Sequence, residues 1–297
     1  MNYNHQAIGA DVGGSHITVG LVDLESKSIS SLMLYRSAVD PGASAEQILE
    51  CWTRAISQLM QFSKDLPVCF AMPGPFDYEN GICLVKGQNK FAGLYGKNIK
   101  SELAGRLNCP EKNLYFKNDA EAFLDGEICC GSVTNAGNVI GITLGTGFGS
   151  AIYSNGECRE GSLWNVPFKN GVAEDYISSR WFVSKYQELT GKKIHGVKEL
   201  TLLSGEHEIA KIIFDEFALN LSEFLVNFAE TNKTDAIVIG GNISRAYDFF
   251  KDTLHEKIHK SYPDVAIHKS VLGESGAILG ACSSLLNLKN HRGSVSS

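Results

Sequence analysis

Two segments of this chain have the residue types and spacing to hold an anion: Ile8-Gly9-Ala10-Asp11-Val12-Gly13-Gly14-Ser15 and Ile140-Gly141-Ile142-Thr143-Leu144-Gly145-Thr146-Gly147. In each, an apolar run of strand length ends in small residues and resumes as a second apolar run, at 17–22 and 150–153, which is the pattern of a β-hairpin with a glycine corner. Glycine there permits φ > 0 and leaves no Cβ between the backbone amides and an approaching anion. Two such corners facing each other across a cleft would hold a polyphosphate without any basic cluster, which is the chemistry of phosphoryl transfer. Asp11 is a candidate Mg²⁺ ligand, directly or through water, since that ion keeps much of its hydration. A third segment, Asn118-Asp119-Ala120-Glu121-Ala122, sets Asp119 where a strand meets a helix. Asp is a good helix cap there, and a carboxylate fixed in that way can also accept a proton.

The elements that would position these residues follow one order twice. Strand-like runs at 7–12, 17–22 and 29–35 precede a helical stretch at 44–62 with Ile48, Leu49, Trp52, Ile56 and Leu59 on one stripe. A buried strand at 67–71 ends at Pro73-Gly74-Pro75, and a helix near 99–107 leads to a strand at 114–117. The second half, opened by the hairpin from Asn138, continues with a helix at 208–230, a strand at 236–239, Gly240-Gly241, a helix at 244–259, a strand at 265–268 and a helix at 275–286. Two α/β units are implied. No Pro/Gly/Ser linker marks the boundary, so motif position alone sets it: a smaller N-terminal domain at 1–118, on which the C-terminal helix can pack back, and a larger one at 119–297.

Bulk composition removes several classes of function. The chain has 297 residues, 43% hydrophobic, with 27 Lys+Arg against 33 Asp+Glu for a net charge of −6. No basic run is present, which argues against nucleic-acid or membrane-surface binding, so any phosphate must be held locally. No stretch approaches the length needed to span a bilayer and the N-terminus is polar, so a cytoplasmic protein is expected. The 8 cysteines form no CxxC pair and several lie in apolar runs, as reduced core thiols do.

Taken together, these motifs resemble the ROK family of sugar kinases, within the sugar kinase, Hsp70 and actin ATPase superfamily. Asp11-Val12-Gly13-Gly14-Ser15 is similar to the family's first phosphate loop, Leu144-Gly145-Thr146-Gly147-Phe148-Gly149 to its second, and Ile239-Gly240-Gly241-Asn242 to its adenosine loop. Asn118-Asp119-Ala120 is similar to the catalytic Asn-Asp, and Asn89-Lys90-Phe91-Ala92-Gly93 to a sugar-side loop. The resemblance implies two ribonuclease H-like α/β domains with a cleft between them, closing on a sugar. It also implies an ATP- and Mg²⁺-dependent kinase acting on a hydroxyl of a hexose or N-acetyl-hexosamine, with a homodimer as the candidate assembly. Asp119 would be the base; Gly74, Asn89, Asn118 and Glu174 would hold the sugar. Gly13, Gly14, Ser15, Gly145, Thr146 and Gly147 would cradle phosphates, Asp11 would hold Mg²⁺, and Gly240 and Gly241 would face adenosine.

The departures from the family matter as well. Many ROK kinases read GEIGH after the second phosphate loop and continue into a cysteine-rich zinc site. Here Ser162 stands for the sugar-contacting Glu, Asn165 for the His, and the cysteine cluster is missing, while Glu174 matches the later sugar-contacting Glu. No structural zinc and an altered sugar pocket, with Trp164 as a new aromatic face, are therefore expected. Certain polyphosphate glucokinases also lack the cluster, which makes polyphosphate the alternative donor. Sugar-sensing repressors of the family form the other alternative; the few residues before the first strand offer no helix-turn-helix. One competing motif, His255-Glu256-Lys257-Ile258-His259, is a literal HExxH. It lacks an evident third ligand beyond Glu274, and histidines are an ordinary polar complement to a helix burying Phe250, Leu254 and Ile258. Gly145-Thr146-Gly147-Phe148-Gly149 has GxGxG rather than GxGxxG spacing and leads to a strand, against a dinucleotide site.

Overall fold

The computed structural model describes residues 5–61, 65–86, 91–134, 136–203 and 208–286. Asn89, one of the expected sugar-side residues, lies outside them. The chain packs as two units: residues to Gly131 together with those from Glu274 onward, and Ser132–Gly273.

In the first unit, β1 (Gln6–Val12), β2 (His16–Asp23) and β3 (Ser28–Ala38) form an antiparallel meander. The helix α1 (Ala45–Met60) returns the chain to β4 (Val68–Met72), parallel to β1; a small hairpin, β5 (Phe76–Asp77) and β6 (Ile82–Cys83), and the helix α2 (Ile99–Leu107) lead to β7 (Leu114–Asn118), parallel to β4. The strand β7 runs directly into the helix α3 (Asp119–Cys130). The sheet order is β3-β2-β1-β4-β7. Central strands covered on both faces need continuous apolar runs, and β4 is buried at every position, whereas the edge strand β3 is largely exposed. The helix α1 begins in a capping box: Ser44 Oγ accepts the Gln47 N–H at 3.3 Å and Gln47 Oε1 accepts the Ser44 N–H at 3.0 Å. Its buried face carries Ile48, Leu49, Trp52, Ile56 and Leu59, the stripe expected from the sequence.

The second unit repeats the plan. Its strands are β8 (Val139–Leu144), β9 (Phe148–Ser154), β10 (Glu157–Glu160), a hairpin of β11 (Pro167–Phe168) and β12 (Gly171–Val172), then β13 (Ala236–Gly240) and β14 (Ala266–Lys269). Its helices are α4 (Ala173–Tyr176), α5 (Ser179–Thr190), α6 (Val197–Leu203), α7 (Glu208–Asn232) and α8 (Lys251–Ser261). The sheet order β10-β9-β8-β13-β14 has the same sequence of antiparallel and parallel neighbours as the first sheet. Its core is aromatic: Phe182 and Phe217 lie 4.6 Å apart, and Phe217 meets Phe250 edge-on at 5.2 Å.

The last described helix, α9 (Ser275–Ala281), returns to the first unit and packs on α3 backbone to backbone. A Cβ on Gly126 would stand 2.1 Å from the Gly276 carbonyl oxygen, and one on Gly280 would stand 1.7 Å from that of Ala122, so no larger residue fits either place. This contact keeps α3 in the first unit. The division after Gly131 is thus drawn one helix later than the 1–118 and 119–297 division expected from motif position, with the C-terminal helix on the first unit.

Two helices differ from the sequence expectation. The 244–259 segment is a 3₁₀ run over Asn242–Phe249, non-helical at Ala246, followed by α8; burial of Ile243, Ala246 and Tyr247 sets a path that a single α-helix does not follow. The helix α5 was not expected at all.

Candidate active site

The first glycine corner closes between β1 and β2. The Gly13 N–H donates to the His16 carbonyl at 2.8 Å, and the Val39 N–H donates to the Ser15 carbonyl at 2.9 Å, tying the corner to the end of β3. Gly14 and Ser15 are exposed. Gly13 does not adopt a left-handed φ; its role is spatial, since a Cβ would meet the His16 ring at 2.8 Å.

Asp11 pairs with Thr18 of β2 and Ala71 of β4 in the middle of the sheet. Burial, then the negative charges of Asp119 and Glu274, push its carboxyl up to about 7, while Arg36 opposes them. Arg36 is itself paired with Glu274 at 2.8 Å.

Asp119 is the first residue of α3, and the cap is its neighbour. Asn118 Oδ1 accepts the N–H groups of Ala120 at 2.9 Å and Glu121 at 3.2 Å. Asn118 Nδ2 donates to Tyr78 Oη at 3.0 Å, and Tyr78 Oη donates to the Met72 carbonyl at 3.2 Å. The sequence suggested that Asp119 would cap the helix; the structure gives that work to the buried Asn118, whose amide is engaged at both ends and so fixes the backbone that carries Asp119. Gly74 follows the end of β4 in this unit.

The second corner, between β8 and β9, is built differently. The Gly145 N–H donates to the Gly147 carbonyl at 3.0 Å, and Thr146 at the tip is exposed. A Cβ on Gly145 would meet nothing within 4 Å, so this glycine faces open space. Neither Gly145 nor Gly147 takes a left-handed φ, so the positive φ expected of these corners is absent and the glycines serve access rather than dihedral need. Ser179, at the start of α5, donates both its N–H at 2.8 Å and its hydroxyl at 2.9 Å to the Gly145 carbonyl. On the other flank, Glu174 Oε2 accepts the Phe148 N–H at 2.9 Å, and Glu174 Oε1 is paired with the Arg180 guanidinium. Ser179 and Arg180 were missed by the sequence reading. The signal was present: Trp181, Phe182 and Tyr186 are buried, and Gly191 ends the helix in a left-handed conformation at φ 70°.

Gly240 pairs with Thr143, one strand over from this corner. Gly241 has φ 81°, and a Cβ there would lie 2.4 Å from the Leu144 carbonyl oxygen. Here glycine is demanded by the backbone itself. In the segment that departs from the resemblance, Ser162 adopts φ 48°, the Leu163 N–H donates to Ser150 Oγ at 3.1 Å, and Trp164 is exposed.

The HExxH segment is spent on packing. His255 Nε2 meets Tyr247 Oη at 2.6 Å, and burial raises the tyrosine to about 12, so its hydroxyl is the donor. His259 Nε2 bonds the Val265 carbonyl at 2.9 Å. Among the described residues no group of three or more His, Cys, Asp or Glu is arranged to hold a metal ion, nor is any helix long and apolar enough to cross a membrane.

Comparison with known proteins covers nearly the whole chain. A glucokinase from Thermotoga maritima is 27% identical, over 93% of this chain and 96% of that protein. An N-acetyl-D-glucosamine kinase from Vibrio cholerae is 24% identical, over 95% and 99%. In fold, the chain is similar to the crystal structure of a ROK family glucokinase from Streptomyces griseus in complex with glucose and AMPPNP, with a TM-score of 0.76 at 22% identity over 95% of this chain and 99% of that one. The ROK family model matches residues 7–166 and 168–287, and the chain belongs to the ROK family.

Proposed function

We propose that the protein is a sugar kinase that transfers the γ-phosphoryl group of Mg·ATP to a hydroxyl of a hexose or N-acetyl-hexosamine. The observation that carries this reading is the fixed carboxylate Asp119, the first residue of α3, held by the Asn118 cap within electrostatic reach of Asp11. Phosphoryl transfer depends chiefly on alignment and charge stabilisation, so a weak base in a rigid place is sufficient. Asp119 accepts the proton of the attacking hydroxyl as the new P–O bond forms and ADP departs.

The other roles follow from each residue's setting. Gly74, Asn89 and Asn118 belong to the sugar side, and Glu174 is assigned there by resemblance even though both its oxygens already serve the second corner. The exposed amides around Gly13, Gly14, Ser15, Gly145, Thr146 and Gly147 suit phosphate oxygens, with Gly145 leaving the open space that a Cβ would fill. Gly240 and Gly241 are assigned to adenosine. Asp11 fits a divalent cation, being an oxygen donor whose burial beside other carboxylates leaves it short of positive charge. Mg²⁺, when bound, would neutralise charge on the phosphate oxygens.

A coupled assay over a panel of hexoses and N-acetyl-hexosamines, run in parallel with Mg·ATP and with polyphosphate, tests the reading. Turnover with ATP on one or more sugars is expected. Turnover with polyphosphate alone would replace the donor, and sugar binding without turnover would make the protein a sensor.

A further inference from the structure

Arg180 is the second residue of α5 and sits beside the glycine turn of the second unit. Its guanidinium pairs with Glu174 Oε1, and the other oxygen of that carboxylate accepts the Phe148 N–H, so one carboxyl group separates the cation from the turn. Its chain neighbour Ser179 is bonded twice to the Gly145 carbonyl. The turn and the arginine are thus fixed to each other from two sides. The Arg180 side chain nevertheless remains 68% exposed, which leaves guanidinium donors accessible beyond those that meet Glu174.

A cation is out of place here on local grounds. The first turn of a helix carries the positive end of its dipole, and α5 has no acidic residue in that turn. The cap is unfinished too: Ser178 makes no side-chain capping bond, and its hydroxyl is buried with no hydrogen-bond partner. Helix dipole, guanidinium and the open face of Gly145 all favour negative charge in one place. Residues that break a local rule without local compensation are where function is expected.

From this we infer that Arg180 is a binding residue for the phosphate chain of the nucleotide, with Glu174 holding the guanidinium in position next to the turn; the inference rests on the proposed kinase function. The guanidinium fork matches phosphate oxygens in a way that an ammonium does not.

Calorimetric titration of the full chain with inorganic triphosphate, Mg·AMPPNP and adenosine tests it, using wild type, Arg180→Gln, Arg180→Lys and Glu174→Gln. Arg180→Gln should weaken triphosphate and AMPPNP binding about 10- to 100-fold, the usual worth of a charge-assisted hydrogen bond, and leave adenosine unchanged. Arg180→Lys should recover part of the loss, and Glu174→Gln should retain most of the affinity. Unchanged triphosphate binding in Arg180→Gln overturns the inference, as does a wild type that binds no triphosphate. A loss in Glu174→Gln equal to that in Arg180→Gln also overturns it, since Arg180 would then only brace the loop. Should Glu174→Gln fail to fold, the difference between Gln and Lys at the exposed position 180 decides. A wild type that binds triphosphate through Arg180 yet phosphorylates no sugar sinks the kinase reading alone.

Discussion

The two glycine corners share a sequence pattern and a place in their sheets, yet they are built for different work. The β1–β2 corner is surrounded by its own sheet: it is tied to β3 through Ser15, its first glycine makes room for the His16 ring, and it lies near the carboxylates Asp11 and Asp119. The β8–β9 corner is held from outside its sheet by the start of α5 and by Glu174, and its first glycine faces open space. One repeated topology thus supplies an acidic half-site and, beside Arg180, a cationic one. The difference arises in the helices after each meander: α1 covers the sheet without reaching the corner, whereas α4 and α5 deliver Glu174, Ser179 and Arg180 to it.

The largest effect expected concerns the acidic corner. Asp119→Asn should lower kcat by about 10² to 10⁴, the range for removing a general base, with sugar affinity and thermal stability nearly unchanged because Asn118 still caps α3. Steady-state kinetics beside a thermal melt reads this, and near wild-type kcat would remove Asp119 from the chemistry. Next comes Gly241→Ala. With φ at 81° and the Leu144 carbonyl 2.4 Å from the new Cβ, it should cost about 2–4 kcal/mol in denaturant unfolding.

Gly145→Val probes the open corner. It should leave stability nearly intact and raise the nucleotide Kd about 10- to 100-fold, as expected for loss of a charge-assisted contact, without moving sugar affinity. Gly13→Ala probes the closed one. It should cost about 1–2 kcal/mol through collision with His16, and much less in a His16→Ala background. If Gly145 proved the costlier of the two for stability, the contrast between the corners would be wrong. The smallest effect concerns zinc: residues 157–180 offer Cys158 but no histidine and no second cysteine. Elemental analysis of untagged protein should find no stoichiometric zinc, and a zinc-selective chelator should leave the melting temperature unchanged.

Local patterns in the sequence carried much of this arrangement. Apolar runs bounded by glycines located β1, β2, β8 and β13, and the stripe of α1 together with Ser44 located its start, because strand and helix periods act over a few residues. The features that stayed hidden depend on distant contacts. The membership of α3 in the first unit depends on Gly126 meeting Gly276, and the break at Ala246 on the burial of its neighbours. Glu174 was legible as a site residue, whereas its attachment to the Phe148 N–H was not, since a hydrogen bond across 26 positions leaves no periodic trace. The HExxH segment shows the reverse error: a motif can be complete in letters while its imidazoles serve Tyr247 and Val265.

The return of α9 to α3 also sets a schedule for biosynthesis. The glycine face of α3 leaves the ribosome well before its partner, because all of Ser132–Gly273 must be made first. At about 5–20 residues per second that delay is on the order of ten seconds, long against helix formation. During it, the first sheet lacks one of its covering helices. The nascent chain therefore presents a defined apolar surface for a chaperone to protect, and the first unit can finish folding only after the second has been synthesised.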